Sequence, residues 1–432
     1  MRDLLILAIV IPGCLAALRR PWIGVMIWTW LSLMNPHRYT FGIAYTAPLA
    51  AITVAATLLG LLFTKDKASP FKGTPVTILV LFMGWMTLTS ILGFDPENNY
   101  EQWKKVMKID FMIIIALALL HSKKQILTLA WVVTGSIAIL GAKGGLFTLA
   151  HGGNYLVWGP PGSFIEDNNE FALALVITIP LLRFLQLQLT QRWAKLGISV
   201  IMLLCAASAL GSHSRGALLA ISAMGFSLWW FGGRKFGILV SIILACAVAL
   251  NFLPQEWFTR MDTISEYQSD ASAMGRINAW WMAFNLAKAN FFGGGFEIYN
   301  IATFMTYAPV PTDIHVAHSI YFQVLGEHGF IGLILFLLIW WLVWREAGKL
   351  RKNENIQPEN KWVADLGAMS QVCLIGYAVG GAFLSLAYFD LPYNVMVLVV
   401  LASHWLKRKA LQEEIEQPTV STDTVQVKLV TP

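Results

Sequence analysis

Apolar runs recur along nearly the whole of this 432-residue chain, near residues 3–18, 22–34, 45–64, 74–93, 107–121, 125–142, 170–189, 195–211, 216–231, 235–253, 318–344, 366–387 and 391–406. Most are roughly 15–22 residues long, the length a helix needs to cross a hydrocarbon core of about 30 Å. Inside hydrocarbon every backbone polar group must be satisfied within the structure, which leaves only helices and closed barrels. A barrel would give shorter, alternating segments. The expected fold is therefore all-α, a polytopic helical bundle. The first two runs are short for full crossings and read as a broken hairpin, leaving about 12 transmembrane helices. Charged residues make up 13% of the chain, half the share usual in soluble domains.

The formal net charge is +6, yet it does not point to nucleic acid. The basic residues stand in short loops: Arg19/Arg20, Lys65/Lys67, Lys123/Lys124, Arg192/Lys195, Arg234/Lys235, Arg345/Lys349/Arg351/Lys352 and Lys407/Arg408/Lys409. These loops alternate, which is the charge bias of cytoplasmic loops. The C-terminus then lies in the cytoplasm, and loops 35–44, 94–106, 143–169, 212–215 and 254–317 face outward. Cys14, Cys205, Cys246 and Cys373 all lie in apolar runs with no metal-ligand spacing, so they read as small core residues. The first twenty residues resemble a signal sequence, but Pro12 and the many later spans favour an uncleaved first helix. Four parts follow: a transmembrane bundle over 1–253, a long outer loop over 254–317, further spans over 318–409 and a polar tail, expected to be disordered, over 410–432.

The long loop is aromatic and includes a helical stretch from Ser272 to Ala289, stopped by Asn290-Phe-Phe-Gly-Gly-Gly295. Ordered loops of such length are usually functional. The loop ends in Pro311-Thr-Asp-Ile-His315-Val-Ala-His318-Ser-Ile-Tyr321, where a membrane helix is expected to begin at residue 318. His318 is either a packed interfacial histidine or a base, since a neutral imidazole accepts a proton from a hydroxyl. His315 would share its side if the helix began early enough. Glu327, nine residues on, falls half a turn away round the helix and is expected to partner another span.

Arg215, in Ser212-His-Ser-Arg215-Gly216, either snorkels to lipid phosphate or points into a cavity. The sharp turn offers donors and Gly216 allows close approach to the backbone. Arg276 lies one turn before Trp280 near the start of the loop helix, in a surface ion pair or an anion site. Two arginines on one membrane face suit a diphosphate, which guanidinium groups bind bidentately. Asp390 either pairs with an arginine or caps a turn. Lys104 and Lys105 either attract an anionic acceptor or snorkel. Glu166-Asp-Asn-Asn-Glu170 has capping chemistry and could also contact sugar. No Asp-x-Asp pair, His/Cys cluster, Walker loop or dinucleotide turn is present.

Ser214-Arg215-Gly216, then Ser272-Ala-x-x-Arg276-x-x-x-Trp280, then His318-Ser-x-Tyr-x-x-x-Leu-x-Glu327-x-Gly329 together resemble the O-antigen ligase superfamily, over most of the chain. Leu31-x-x-Met-Asn-Pro-His-Arg38 and Gly162-Ser-Phe-Ile-x-Asp-Asn-Asn169 resemble a subgroup, the O-glycosylation ligases. The resemblance implies a glycosyltransferase of the bacterial inner membrane, without metal or cofactor, its long loop and active site periplasmic. Its donor would be an undecaprenyl-diphosphate-linked glycan and its acceptor a lipid A–core oligosaccharide, in lipopolysaccharide biosynthesis. His318 would be the catalytic base. Arg215 and Arg276 would bind the diphosphate. Apart from the resemblance, the residues themselves make His315, Tyr321, Trp280 and Asp390 candidates to support these three, and Lys104 and Lys105 candidates to meet the acceptor. Ser319, where many members have asparagine, is a departure that leaves the acceptor open. A protein oligosaccharyltransferase or an O-antigen polymerase would use the same donor. A transporter would place ionisable residues at mid-membrane, and apart from Asp110, Arg183 and the Glu327/His328 pair the spans carry few.

Overall fold

The computed structural model describes residues 1–231, 271–353 and 357–416. The run at 235–253, the first part of the long loop and residues 417–432 lie outside them. Among the described residues the chain is helical with no strand, and six helices are long and apolar enough to cross a membrane: Thr74–Ile91, Lys123–Ala150, Asn168–Gln188, Arg192–Gly211, Ile320–Arg351 and Pro358–Gly381. Trp22–Met34 and Leu49–Phe63 are shorter apolar helices. Arg2–Arg19, Pro96–Leu119, Arg215–Phe231 and Asp390–Glu416 fall on the remaining apolar runs.

Two stretches expected as loops are partly helical. Residues 96–106 belong to Pro96–Leu119, because Asp95 caps that helix by accepting from the Asn98 backbone N–H at 3.2 Å. Residues 143–150 complete Lys123–Ala150, whose start is fixed by a capping box between Ser122 and Gln125. The last helix runs past Lys409 to Glu416.

The core forms around Asn168–Gln188. Its residues Phe171 to Ile177 are all buried, as expected of a helix that is apolar all round. It packs against Lys123–Ala150, Arg192–Gly211, Arg215–Phe231 and Lys361–Gly381. Without a hydrophobic drive between helices in lipid, close backbone approach does the holding. Gly145 shows how close: a Cβ there would come within 2.1 Å of the Leu204 carbonyl. Cys14, Cys205 and Cys373 are free and buried.

The two ends of the bundle differ in chemistry. At one end Lys123 donates to the Glu359 carbonyl, Arg408 donates to the His121 carbonyl, and Arg19 and Arg20 line a cavity of about 220 Å³ with Asp66. At the other end Asn168 donates to the Ser212 carbonyl, Phe94 donates to the Gly294 carbonyl, and Glu297 donates its N–H to Asn99. The second end carries the loops with Arg215, Arg276 and His318.

The Ile320–Arg351 helix is broken within its length. Gly329 has φ 67° and ψ −172°, a conformation open essentially to glycine alone. The carbonyls freed before the break find donors outside the helix. Gly294 N–H reaches Gly326 at 3.0 Å, Gly295 N–H reaches Glu327 at 2.9 Å, and the Trp85 indole reaches His328 at 2.8 Å. The Phe-Phe-Gly-Gly-Gly stretch that stops the loop helix thus also caps a half-helix.

Candidate active site

The membrane helix begins at Ile320, with Ser319 as its cap, rather than at residue 318. His318 precedes it with a left-handed backbone, φ 43°, and a residue in that region cannot continue a right-handed helix. The loop helix Ala271–Ala289 holds it there. The Trp280 indole donates to the Ala317 carbonyl at 2.6 Å, and its ring stacks on Phe322 with centroids 5.0 Å apart. Asn278 donates to the carbonyls of Val310 and Asp313 and accepts from Val310 N–H. Three bonds from one side chain fix the approach to His318. The helix starts too late to bring His315 onto a common helical face with His318. His315 pairs with Asp313 at 2.8 Å, against Gly275, where a Cβ would lie 2.3 Å from the His315 ring.

His318 Nδ1 lies 3.8 Å from Glu170 Oε1, with the His318 side chain 36% exposed and that of Glu170 10%. Glu170 stands in the first turn of the buried Asn168–Gln188 helix. Asp167 caps that helix, accepting from Asn169 N–H at 2.8 Å. Burial pushes the Asp167 carboxyl up. The neighbouring Glu170, the backbone and side-chain amides of Asn169 and the charge of His318 outweigh it and hold the group below its ordinary value.

The same helix start reaches the arginine turn. Asn168 donates to the Ser212 carbonyl at 2.7 Å, and Arg215 opens the next helix three residues later. The polar side chains of this turn are engaged by the protein, Ser212 as a donor and Ser214 as an acceptor. Ser212 Oγ bonds Ala209, His213 Nε2 is 2.9 Å from the Gly153 carbonyl, and Ser214 Oγ accepts from Ala217 N–H. A Cβ at Gly216 would meet Phe383 and Gly380 at ordinary contact distances of 3.4 and 3.8 Å, so helix packing by itself does not require a glycine there. Arg276 sits on the loop helix four residues before Trp280. Arg215 and Arg276 are therefore both carried by segments bonded to the surroundings of His318, one through Asn168 and Glu170, the other through Trp280.

The other candidates lie further out. Tyr321 donates its hydroxyl to the Ala378 carbonyl at 2.8 Å and staples two helices. Asp390 is buried at the start of the last helix, near Ser32 and with Lys105 as a nearby cation. Lys105 lies 3.8 Å from the Phe164 ring centre, between Asp390 and Glu166. Lys104 pairs with Glu101 at 2.6 Å, a helix-surface contact. Glu327 is buried and accepts from Tyr388, which lies in the turn just before the last helix. Among the described residues no group of three or more His, Cys, Asp or Glu could hold a metal ion.

Glu170 and Asn278 are what sequence reading undervalued. Glu170 reads there as capping chemistry, and only a carboxylate placed inside an apolar run could have drawn attention to it.

Residues 173–337 match the family described as O-Antigen ligase, and residues 1–190 match a family of unknown function, DUF5935. The chain carries an O-antigen ligase-type domain. Arg215, Arg276 and His318 all fall inside that match. Comparison with curated proteins gives no match. The apolar helices and the ligase-type domain together indicate a membrane protein, and the domain is similar to a family associated with ligase- and polymerase-type glycosyl transfer.

Proposed function

We propose that the ligase-type chain moves a glycan from undecaprenyl diphosphate to a saccharide acceptor, lipid A–core oligosaccharide, at the periplasmic face of the bacterial inner membrane. The observation that carries this reading is the setting of His318. It stands outside the helix, held from behind by Trp280, with one ring nitrogen toward Glu170 and the ring partly open. The other nitrogen is then the one offered to a hydroxyl.

In this reaction the acceptor O–H bond breaks and its proton passes to His318. The oxygen attacks the anomeric carbon as the bond to the diphosphate oxygen breaks. A single displacement inverts that carbon. Arg215 and Arg276 take up the charge growing on the leaving diphosphate, which fixed guanidinium groups do without reorganising. No metal or cofactor is called on. Lys104 and Lys105, beside the entrance of the Pro96–Leu119 helix, meet the acceptor, and Tyr321, His315 and Asp390 support the frame.

The test is transfer by purified, reconstituted protein from a synthetic lipid-linked donor to lipid A–core, with protein and glycan acceptors run in parallel and EDTA added. His318→Ala abolishes transfer while the protein stays folded. Full activity in that variant removes His318 from the reaction. Transfer to peptide or to a second glycan alone would move the chain to the oligosaccharyltransferase or polymerase reading.

A further inference from the structure

We propose that Glu170 is the positioning residue of His318, holding its Nδ1–H so that Nε2 faces the acceptor, and that it couples the base to the Arg215 turn. The inference rests on His318 being the base.

Glu170 is 7% exposed and is followed by the continuous apolar stretch Phe171 to Ile177. A carboxylate is costly in such a place unless something pairs with it. Two groups face it, the Asp167 carboxyl of the same helix start and the imidazole of His318, whose Nδ1 lies 3.8 Å from Oε1. His318 Nδ1, which faces Glu170 Oε1, is a buried atom without a hydrogen-bond partner, and so is the second carboxyl oxygen Oε2, so imidazole and carboxyl both have hydrogen-bonding capacity left. A separation this long is common before substrate binds, and contacts of this kind tighten in the loaded enzyme. The left-handed backbone of His318 costs conformational energy and is over-determined by its surroundings. Trp280 holds the residue before it, and Gln323 N–H donates to the carbonyl of the residue after it at 2.8 Å. What remains to be fixed is the ring, and which nitrogen carries the proton is set by the bond the other nitrogen makes.

The geometry also links two functions. Glu170 shares one helical turn with Asn168, whose amide holds the Ser212 carbonyl three residues before Arg215. Asp167 caps that turn. One buried helix end thus sets the base and the diphosphate-facing arginine in a common frame. During transfer the acceptor proton arrives on Nε2, and the resulting imidazolium shares its Nδ1 proton with Glu170 until the Nε2 proton leaves to water.

The experiment uses full-length protein in liposomes with the synthetic lipid-linked donor and lipid A–core. Glu170→Gln should lower kcat on the order of 10²-fold with KM for both substrates little changed, and Glu170→Asp should recover part of the rate. In the unmutated protein, ¹⁵N spectra of labelled histidine, with the His318 signal found by its loss in His318→Ala, should show the proton on Nδ1. A wild-type kcat in Glu170→Gln, a loss confined to KM, or an Nε2–H tautomer overturns the proposal, and the spectrum decides the matter even where a Glu170 variant does not fold. If His318→Ala retains transfer, the base assignment itself fails. If His318→Ala is dead while Glu170→Gln is fully active, only the positioning role fails.

Discussion

The indole N–H of Trp280 donates to the carbonyl of Ala317 at 2.6 Å, one residue before His318. The loop helix therefore reaches the candidate base through a backbone group and not through its side chain. Trp280→Phe keeps the ring that stacks on Phe322 and removes only the donor. It leaves a carbonyl of the fully buried Ala317 without its partner, at a cost of about 1–3 kcal/mol. If that cost falls on the loop conformation that presents His318, transfer slows by roughly 5- to 150-fold, since about 1.4 kcal/mol is a factor of ten. The check is kcat of the variant in liposomes beside its circular dichroism. An unchanged kcat would show that the bond does not hold the base.

Arg215 makes a separate prediction, because in the proposed reaction it meets the donor and not the acceptor. Arg215→Glu should raise KM for the lipid-linked donor far more than for lipid A–core. A charge-assisted contact to phosphate contributes about 1.5–3 kcal/mol, so replacing it with repulsion should cost donor affinity at least tenfold. Equal losses for both substrates would mark Arg215 as a structural residue of the helix start.

Much of the helical layout was legible in sequence, because apolar length is a local property that the bilayer dictates. The apolar runs within the described residues all fall on helices. What could not be read is where a helix yields. His-Ser-Ile-Tyr at 318–321 continues an apolar pattern, and only the long-range bonds from Trp280 and Asn278 explain why helix starts after His318. The break at Gly329 is equally silent, since a single glycine inside an apolar run is common in membrane helices. Helix phase does not govern Glu327 and His318, because His318 stands before the helix. It could not name Tyr388 as the partner of Glu327, nor bring Glu170 to His318, because those pairings depend on how distant helices pack.

Asp167 gives a pH prediction. Its carboxyl is held below the ordinary value of 3.8 by Glu170, Asn169 and His318 acting against burial. A depressed carboxylate contributes stability that is complete above its unfolded value and is lost as pH falls through its folded value. Asp167→Asn keeps a capping side chain but no charge. The gap in thermal midpoint between wild type and this variant should be constant from about pH 7 to about pH 5 and close below about pH 4. Asp167→Ala, which also loses the cap, should sit about 1 kcal/mol lower throughout. A gap that widens toward acid would contradict the assigned sign.

Gly329 tests whether the broken helix is required for the fold. Its φ of 67° and ψ of −172° strain any residue with a Cβ by about 1–3 kcal/mol. The added atom would also come within 2.5 Å of the Phe291 carbonyl, and the backbone just before it is pinned, at Gly326 and Glu327 by Gly294 and Gly295 and at His328 by Trp85. Gly329→Ala therefore has no inexpensive way to relax. Either the Phe291–Gly295 stretch moves, which releases the Gly326 and Glu327 carbonyls, or the helix straightens and loses the same bonds. Both routes lower the midpoint of thermal unfolding by several degrees. Trp85→Phe removes a single donor, to His328, and should cost less, about 1–3 kcal/mol. Differential scanning of the three proteins in the same detergent orders them as wild type, Trp85→Phe, Gly329→Ala. A Gly329→Ala protein as stable as wild type would mean that the break is not built into the packing.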